Sequence, residues 1–219
     1  MKKQRKGGLM AMFGVLISLG LVGLLFAQQP TGLSALDSQV SRFLEEARGT
    51  WSDMNVPYED GKTLYALVLK SRFKNILEIG TSTGHSTIWL AWAASKTGGK
   101  VTTIKIDRQR HETALANFKK AGVASFIDAR LGDAHQVVPR LKGPYDFIFS
   151  DADKEWYLQY FLDLENKISP KGCFTAHNVL WRHDPNIKKF LDYVKGNPRF
   201  QTHIEKGSGE GISVSYRVE

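Results

Sequence analysis

The architecture of this chain follows from one segment, Asn75-Ile-Leu-Glu-Ile-Gly-Thr-Ser-Thr-Gly-His-Ser-Thr87. Its first residues are apolar and partly β-branched, which predicts a buried central strand of a parallel sheet. Gly80 then lets the backbone turn, and Gly84 opens a helix with hydroxyl side chains available to cap it. The free N–H groups at such a helix start suit an anionic or polar ligand group. The segment therefore predicts a strand, a ligand-binding turn and a helix.

The spacing within this turn narrows the class of ligand. The two glycines stand as Gly80-x-x-x-Gly84, and the three residues between them carry side chains that would crowd a pyrophosphate. This spacing disfavours a nicotinamide dehydrogenase, whose fingerprint is G-x-G-x-x-G. Glu78 lies at the end of a buried strand and needs a polar partner. We therefore expect a nucleotide-like ligand that offers hydroxyl groups or an ammonium group.

Outward from this segment, apolar strands alternate with helical periodicity. Further strands are predicted at 101–106, 125–131, 145–149, 172–176, 201–204 and 212–218. Helices are predicted at 35–49, 58–72, 88–95, 107–121, 133–141, 154–168 and 186–195. This alternation predicts an α/β fold in which helices cover both faces of a mostly parallel sheet. Because the last two strands have no helix between them, one of them is expected to be antiparallel. Residues 31–72 are expected to form a helical lead-in that packs on a core at 73–219.

Composition excludes several classes of protein. The 219 residues suffice for one α/β domain, and four of the basic residues behind its net charge of +8 lie within residues 1–6. The remainder is only mildly basic and shows no long basic-aromatic stripe, so nucleic acid is not an expected partner. Cys173 is the only cysteine, which excludes a disulfide framework and a cysteine-rich metal site.

An apolar segment without charge, residues 8–27, follows the basic start. Its length of about 20 residues is enough to span a bilayer, and it also resembles a secretory signal with a cleavage point after Ala27. Because the basic residues precede it, the positive-inside rule favours the extracytoplasmic side for the rest of the chain. The cytoplasmic face is the alternative. Residues 1–30 are therefore predicted to be a signal peptide or a membrane anchor, with the membrane as a partner if the segment is uncleaved.

Polar residues gather where the predicted strands end. The fourth strand is followed by Asp151, Asp153 and Lys154, and the fifth by His177 and Asn178. Neighbouring strand ends of an open α/β sheet meet at the ligand-binding edge, so we expect these groups to lie close together. A carboxylate, an imidazole and an amide carbonyl suit a divalent metal that acidifies a hydroxyl group, with Lys154 taking its proton. A hydrogen-bonded cleft histidine and a surface lysine are the alternatives.

Together these motifs resemble the class I S-adenosylmethionine-dependent methyltransferases, and more narrowly the small-molecule O-methyltransferases of the catechol and caffeoyl-CoA type. The resemblance runs from about residue 53 to the C-terminus. It rests on Met54-Asn-Val56, Leu77-Glu-Ile-Gly-Thr-Ser-Thr-Gly-His-Ser86, Gly132-Asp-Ala134, Tyr145-Asp-Phe-Ile-Phe-Ser-Asp-Ala-Asp-Lys-Glu-Trp-Tyr157 and Ala176-His-Asn-Val179. It implies a three-layer α/β/α Rossmann-like methyltransferase fold, with one antiparallel strand near the C-terminus of a seven-stranded sheet, and S-adenosylmethionine as the cofactor.

The resemblance also implies roles for individual residues. The cofactor-binding residues that it implies are Val56, Glu78, Gly80, Ser82, Gly84, Ser86, Asp107, Asp133, Ala134 and Asp151. The metal ligands that it implies are Asp151, His177 and Asn178, and the catalytic residues are Asp151 and Lys154, with Lys154 as the candidate general base. The implied reaction is an in-line transfer of a methyl group to a hydroxyl group of the acceptor.

Two positions depart from the pattern of this family. Lys105 stands where the family usually has an acidic residue, so contact with the ribose falls to Asp107 or Glu78. His177 stands where the family usually has aspartate. Because histidine brings one negative charge fewer, affinity for Mg²⁺ should fall and softer metals should gain. Catalysis without a metal is the alternative.

Two functions are therefore expected. The first is a metal-assisted O-methyltransferase acting on a small hydroxylated, catechol-like acceptor, whose pocket is built largely by the helices at 35–49 and 58–72. The second is an exported module that binds a small molecule in the same fold but is catalytically impaired. Trp51 and Trp181 are candidates for stacking on an acceptor ring or for a homodimer interface.

Overall fold

Seven strands form one sheet in the computed structural model, which describes residues 34–52, 54–181, 183–207 and 209–219. The strands are β1 Asn75–Ile79, β2 Lys100–Lys105, β3 Ile127–Leu131, β4 Tyr145–Ser150, β5 Ile168–Ala176, β6 Phe200–Glu205 and β7 Ile212–Arg217. Their order is β3-β2-β1-β4-β5-β7-β6. β7 pairs antiparallel with β5 and β6, and the pairs among β1 to β5 are parallel. This confirms the predicted sheet with one antiparallel strand near the C-terminus.

Helices cover both faces of this sheet. They are α1 Ala35–Glu46, α2 Tyr58–Ser71, α3 His85–Thr97, α4 Arg108–Ala121, α5 Ala134–Val137, α6 Tyr157–Leu164 and α7 Pro185–Gly196. Successive side chains of a strand point to opposite faces. Accordingly, Ile76 belongs to the hydrophobic cluster formed with α1 to α4, whereas Leu77 belongs to the cluster formed with α6 and α7. The predicted three-layer α/β/α architecture is therefore confirmed.

Some predicted elements differ at their ends. β5 begins at Ile168 rather than at residue 172, because Tyr145 pairs with Ile168 before the register shifts ahead of Phe147. Pro170 lies in the added part of the strand, and the irregular register accommodates it. The helix predicted at 154–168 is divided, since short 3₁₀ turns at Lys154–Trp156 and Glu165–Lys167 flank α6. These differences leave the order of the elements unchanged.

The predicted helical lead-in packs on the rest of the fold. Asp37 of α1 accepts a hydrogen bond from Nε1 of Trp92 at 2.7 Å and also pairs with Lys96, and both partners lie on α3. Ser34 and Asp37 form a capping box that begins α1. The described residues belong to one compact unit. A boundary between lead-in and core at residue 72 stays a prediction.

The predicted location of the protein requires a correction. Residues 1–30, on which the prediction of a signal peptide or anchor was based, lie outside the described residues. Among the residues that are described, no helix is both long enough and apolar enough to cross a membrane. The longest of them, α2 and α4, have 14 residues each, fewer than the roughly 20 that a span needs. This finding contradicts a membrane-anchored or exported placement, and that prediction is not retained.

Candidate active site

A first cavity of about 250 Å³ lies at the carboxyl ends of β1 to β4. Several predicted cofactor-binding residues form its wall: Gly80, Ser82, Asp133, Ala134 and Asp151. The same wall carries Lys105, the last residue of β2, and Arg110 of α4. The strand ends therefore meet at one edge of the sheet, where the sequence predicted the ligand.

The turn after β1 is shaped by the approach of another loop. Gly80 has a φ of +108°, and a Cβ atom there would lie 2.8 Å from the carbonyl carbon of Asp151. The backbone N–H of Asp151 donates a hydrogen bond to the carbonyl oxygen of Ile79 at 2.9 Å. Only glycine combines this backbone conformation with the space required. Gly80 is therefore needed for the loop that carries Asp151 to lie against β1, a role that the sequence did not indicate.

Glu78 is fully buried and is not among the residues that line the first cavity. Its Oε2 atom accepts hydrogen bonds from the hydroxyl groups of Thr103, at 2.5 Å, and Thr87. Burial raises the pKa of Glu78 to about 7, although hydrogen bonds to the carboxylate act in the opposite direction. The partners expected for Glu78 were polar groups of a ligand, whereas the structure supplies threonine hydroxyls.

The other predicted cofactor-binding residues also lie off this wall: Val56, Gly84, Ser86 and Asp107. Asp107 begins α4 as its N-cap and accepts a hydrogen bond from the backbone N–H of Arg110 at 2.7 Å. Val56 is buried, and its carbonyl oxygen lies 2.8 Å from Nδ1 of His85. The contacts observed for these residues stabilise local structure, and their contact with a cofactor stays a prediction.

A second cavity of about 480 Å³ is lined by the residues predicted for catalysis and metal binding: Asp151, Lys154, His177 and Asn178. The ammonium nitrogen of Lys154 lies 2.8 Å from Oδ1 of Asp151. Another part of the wall is formed by the half-exposed Trp181, whose Nε1 donates a hydrogen bond to Oε2 of Glu210 at 2.6 Å. The structure thus brings together the groups that the sequence assigned to the chemistry.

The two cavities meet at the loop after β4. Both are lined by Met54, Asp151, Ala152 and Asp153. Ligands placed in the two cavities would approach each other at Asp151, which is the geometry that direct transfer between two bound molecules requires. The sequence predicted that the strand ends are close but not this division into two compartments.

His177 is held by a carboxylate at each ring nitrogen. Nε2 lies 2.7 Å from Oδ2 of Asp60, and Nδ1 lies 3.3 Å from Oδ1 of Asp151. Burial lowers the pKa of His177, but the two carboxylates outweigh it and raise the pKa to about 9. Burial raises the pKa of Asp151, yet His177 and Lys154 bring it below its ordinary value. The result is a buried cluster of paired charges.

The predicted metal ligands do not form the site that the resemblance implies. Mg²⁺ prefers oxygen ligands, with carboxylates foremost. Asp151 is the one carboxylate among the three, and its Oδ1 is already approached by Lys154 and His177. Nδ2 of Asn178 donates to Glu210 at 3.1 Å. Within the described part of the chain, no group of three or more His, Cys, Asp or Glu side chains is arranged to hold a metal ion. This donor set therefore does not fit a divalent cation.

Asp60 is the residue of this site that sequence reasoning missed. It lies in the first turn of α2, 117 residues before His177, so a local motif does not connect the two. A signal was nevertheless present, because Asp60 shares a helix face with the buried Leu64, Leu67 and Val68. A carboxylate on an apolar helix face needs a buried partner.

His135 was also missed, although it lines the first cavity. Its Nε2 lies 2.8 Å from Oδ2 of Asp153, and its ring stacks on Trp156 with centroids 3.8 Å apart. These contacts join the loop after β3 to the loop after β4. His135 could have been predicted as a site residue, because it directly follows Asp133 and Ala134 in the sequence.

Comparison with known proteins identifies relatives over most of the chain. A family model described as O-methyltransferase matches residues 33–190. Caffeoyl-CoA O-methyltransferase from Eucalyptus gunnii is 33% identical over 195 residues, which cover 79% of this chain and 78% of the relative. Catechol O-methyltransferase from Niastella koreensis is 37% identical over 131 residues, which cover 58% of this chain and 59% of the relative.

Solved structures share the fold. An O-methyltransferase from Bacillus cereus, in complex with SAH, has a TM-score of 0.71 at 29% identity and covers 83% of this chain and 91% of its own. The O-methyltransferase TomG from Streptomyces achromogenes, in complex with SAM, has a TM-score of 0.70 at 26% identity. The match covers 84% of this chain and 91% of TomG. These matches confirm the predicted methyltransferase fold and the predicted class of enzyme, an S-adenosylmethionine-dependent O-methyltransferase. Because the family model and the plant relative both cover most of its length, this chain belongs to the O-methyltransferase family, in the group that includes the caffeoyl-CoA and catechol enzymes.

Proposed function

We propose that this protein transfers a methyl group from S-adenosylmethionine to a hydroxyl group of a small, catechol-like acceptor. The observation that carries the proposal is the pair of cavities that meet at Asp151. The first cavity suits the donor, because the carboxylates of Asp133, Asp151 and Asp153 on its wall attract the positive charges of a sulfonium and an ammonium group. When bound, S-adenosylmethionine supplies an electrophilic methyl group for in-line displacement.

The second cavity receives the acceptor. Trp181 offers a half-exposed aromatic face to a ring, and Lys154, on the wall of the same cavity, contacts Asp151. Lys154 first releases its ammonium proton to solvent and then takes the proton of the acceptor hydroxyl as the new oxygen–carbon bond forms. The resulting ammonium group is stabilised by Asp151 at 2.8 Å. Metal assistance, which the resemblance implied, is not part of this mechanism because the donor set does not fit the ion.

Two other expectations stand apart from this proposal. The Asp151–Lys154 pair is formed, so the site gives no support to a catalytically impaired binding module. A homodimer stays a prediction. Trp51, one of the two tryptophans considered for an interface, stacks on His85 with ring centroids 4.6 Å apart and so belongs to the fold.

Transfer of the labelled methyl group of S-adenosylmethionine to catechol or caffeoyl-CoA tests the proposal. We expect transfer by the wild type and a kcat lower by about 100-fold or more in Lys154→Ala, because general-base catalysis contributes roughly 10²–10⁴-fold. Lys142→Ala removes an exposed lysine outside both cavities and should keep the wild-type kcat.

Isothermal titration calorimetry with S-adenosylmethionine reports donor binding separately from transfer. The donor should bind equally to the wild type and to Lys154→Ala, because Lys154 lines only the second cavity. Failure of the wild type to bind the donor, or an unchanged kcat in Lys154→Ala, would contradict the proposal.

A further inference from the structure

We infer that a buried hydrogen-bonded chain from Asp60 through His177 to Asp151 takes the place of a divalent metal in this active site, with Asp60 as its positioning residue. The inference rests on the proposed function, because Asp60 acts through the same Asp151 and Lys154. It starts from the disagreement between the metal that the family resemblance implies and the donor set that this chain presents.

His177 is held in place through both its backbone and its ring. Its backbone N–H donates to the carbonyl oxygen of Ser150 at 3.1 Å, and its own carbonyl accepts from the hydroxyl of Tyr157 at 3.2 Å. The ring is held at Nε2 by Asp60 and at Nδ1 by Asp151. The side chain is only 3% exposed. The imidazole is therefore an internal bridge between two carboxylates.

The buried carboxylate of Asp60 in turn depends on its contact with the imidazole of His177. Asp60 is 1% exposed and lies in the first turn of α2, where the helix dipole favours a carboxylate. A buried carboxylate is tolerated only when it is paired and hydrogen-bonded. Releasing His177 to bind a metal cation in another orientation would break this buried contact.

The charges of the buried groups around His177 balance one another. Two carboxylates, Asp60 and Asp151, face two basic groups, His177 and Lys154, so that these four groups together are neutral. A divalent ion would add two positive charges to a balanced, buried cluster. With aspartate at position 177, the same four positions would carry three carboxylates and one ammonium group, a net charge of −2 that a divalent ion would neutralise. The histidine thus supplies within the protein the positive charge that a metal would otherwise bring.

The chain of contacts from Asp60 to Asp151 orients the groups that act in the reaction. Asp60 sets the ring of His177 so that Nδ1 faces Asp151, and Asp151, at the junction of the two cavities, in turn holds Lys154. The role of Asp60 is therefore to orient the group that pairs with the base. Its loss should lower turnover and leave donor binding largely unchanged.

Titration calorimetry with MgCl₂ and with MnCl₂ tests, without reference to activity, whether the Asp60–His177–Asp151 chain takes the place of a metal ion. We expect no saturable binding of either ion by the wild type. In a separate activity assay, EDTA should leave kcat unchanged. His177→Asp should gain saturable, one-to-one binding of Mn²⁺. Because this variant brings three carboxylates together in the interior, Asp60→Asn/His177→Asp provides a second form that reduces the repulsion and should also bind the ion. Saturable binding of either ion by the wild type, or no gain in either variant when folded, would overturn the inference.

Kinetics of Asp60→Asn test the positioning role. We expect kcat to fall about 10- to 100-fold, as is typical when a partner of an active-site group is removed, with the KM for S-adenosylmethionine unchanged. Asp37→Asn is the matched control, since Asp37 is a buried carboxylate paired with Lys96 outside both cavities. It should lose stability and keep kcat. An unchanged kcat in Asp60→Asn would refute the role. If the wild type methylates no acceptor, the proposed function fails, and the metal titrations still decide this inference.

Discussion

Lys105 is the single residue at which this chain differs most from an ordinary adenosine site. An acidic residue at the end of the second strand of such folds hydrogen-bonds the ribose hydroxyls. Here Lys105 lines the first cavity with Arg110, while Asp107 is engaged as the N-cap of α4. Asp107, which follows β2, is thus used to begin its own helix, and the wall of the first cavity carries the basic side chains of Lys105 and Arg110.

Replacing Lys105 by glutamate should tighten binding of S-adenosylmethionine by about 10- to 100-fold, because a charge-assisted hydrogen bond contributes roughly 1.5–3 kcal/mol. The new carboxylate would also attract a cationic donor. Titration calorimetry measures the change. Lys100→Glu introduces the same charge at the other, exposed end of β2 and should leave the affinity unchanged. Equal or weaker binding by Lys105→Glu would place the ribose elsewhere.

Glu78 should make the protein less stable as the pH rises. Its pKa is about 7 in the fold against an ordinary value of 4.5, so the native state keeps a proton that the unfolded state releases. The stabilising contribution is complete below pH 4.5 and is lost as the pH rises toward 7. In Glu78→Gln this loss disappears, while Asp151, whose charge also acts on Glu78, is unchanged.

Urea denaturation at a series of pH values measures this effect. The free energy of unfolding of Glu78→Gln relative to the wild type should increase by about 3 kcal/mol between pH 4 and pH 8, since one pKa unit corresponds to about 1.4 kcal/mol. Glu155→Gln, at an exposed position, should show no such trend. Parallel curves for Glu78→Gln and the wild type would show that folding does not change the pKa of Glu78.

At the scale of elements, α1 is joined to the fold through one carboxylate. Asp37 caps its own helix, accepts a hydrogen bond from Trp92 and pairs with Lys96 on α3. These bonds outweigh the effect of burial and hold the pKa of Asp37 below its ordinary value. A single side chain therefore links the helix that begins the described chain to the helix that follows the glycine turn.

Asp37→Asn should lower the free energy of unfolding by about 2 kcal/mol, because hydrogen bonds to a charged group contribute roughly 1.5–3 kcal/mol. Urea denaturation at neutral pH provides the measurement. Asp192→Asn removes an ion pair with Lys188 on the exposed surface of α7 and should cost less than about 0.5 kcal/mol. A similar decrease in the free energy of unfolding in the two variants would mean that the Asp37 contacts between α1 and α3 stabilise the fold no more than an exposed ion pair does.

At the scale of the whole molecule, the sheet collects both cavities at one edge and leaves their shared wall on the loop after β4. That loop reaches its position only because Gly80 lacks a side chain. Binding at this edge is therefore coupled to the packing of β1 against β4, which are neighbours at the centre of the sheet. A ligand held there should stabilise the fold as a unit.

S-adenosylhomocysteine at 100 times its Kd should raise the free energy of unfolding by about 2.7 kcal/mol, as mass action requires. Thermal denaturation with and without the ligand measures the shift. Gly80→Ala should lose this shift, since its Cβ would lie 2.8 Å from the backbone of Asp151. Gly98→Ala, at another positive φ but with open space around it, should be destabilised yet keep the response. A full response in Gly80→Ala would contradict the coupling.

The order of elements was predictable because local patterns agree with the fold. The apolar run at Ile76 and Leu77 forms the central strand, and the missing helix between the last two strands indicated the antiparallel one. Strand ends also predicted which loops gather at the site. The start of β5 was not predictable, since Pro170 and Gly172 favour a turn unless the partner strand is irregular.

The contacts between distant residues could not be predicted from local patterns. Asp60 and His177 are 117 positions apart, and their contact depends on how α2 packs against the end of β5. The motif showed that position 177 departs from the family pattern, but it gave no sign of what the histidine binds. Likewise, Glu78 was expected to need a partner, and only the fold shows that Thr103 on the neighbouring strand supplies it.

Cys173 gives the molecule a built-in reporter of its own opening. It is the only thiol in the chain, it is fully buried in β5, and it sits opposite Phe147 on one side and Tyr216 on the other. Burial raises the pKa of this thiol well above its ordinary value, so in the closed sheet it is protonated and inaccessible. An alkylating reagent can reach it only when the hydrophobic cluster between the sheet and α1 to α4 opens. The rate of alkylation therefore measures how often this cluster opens, without any label having to be introduced.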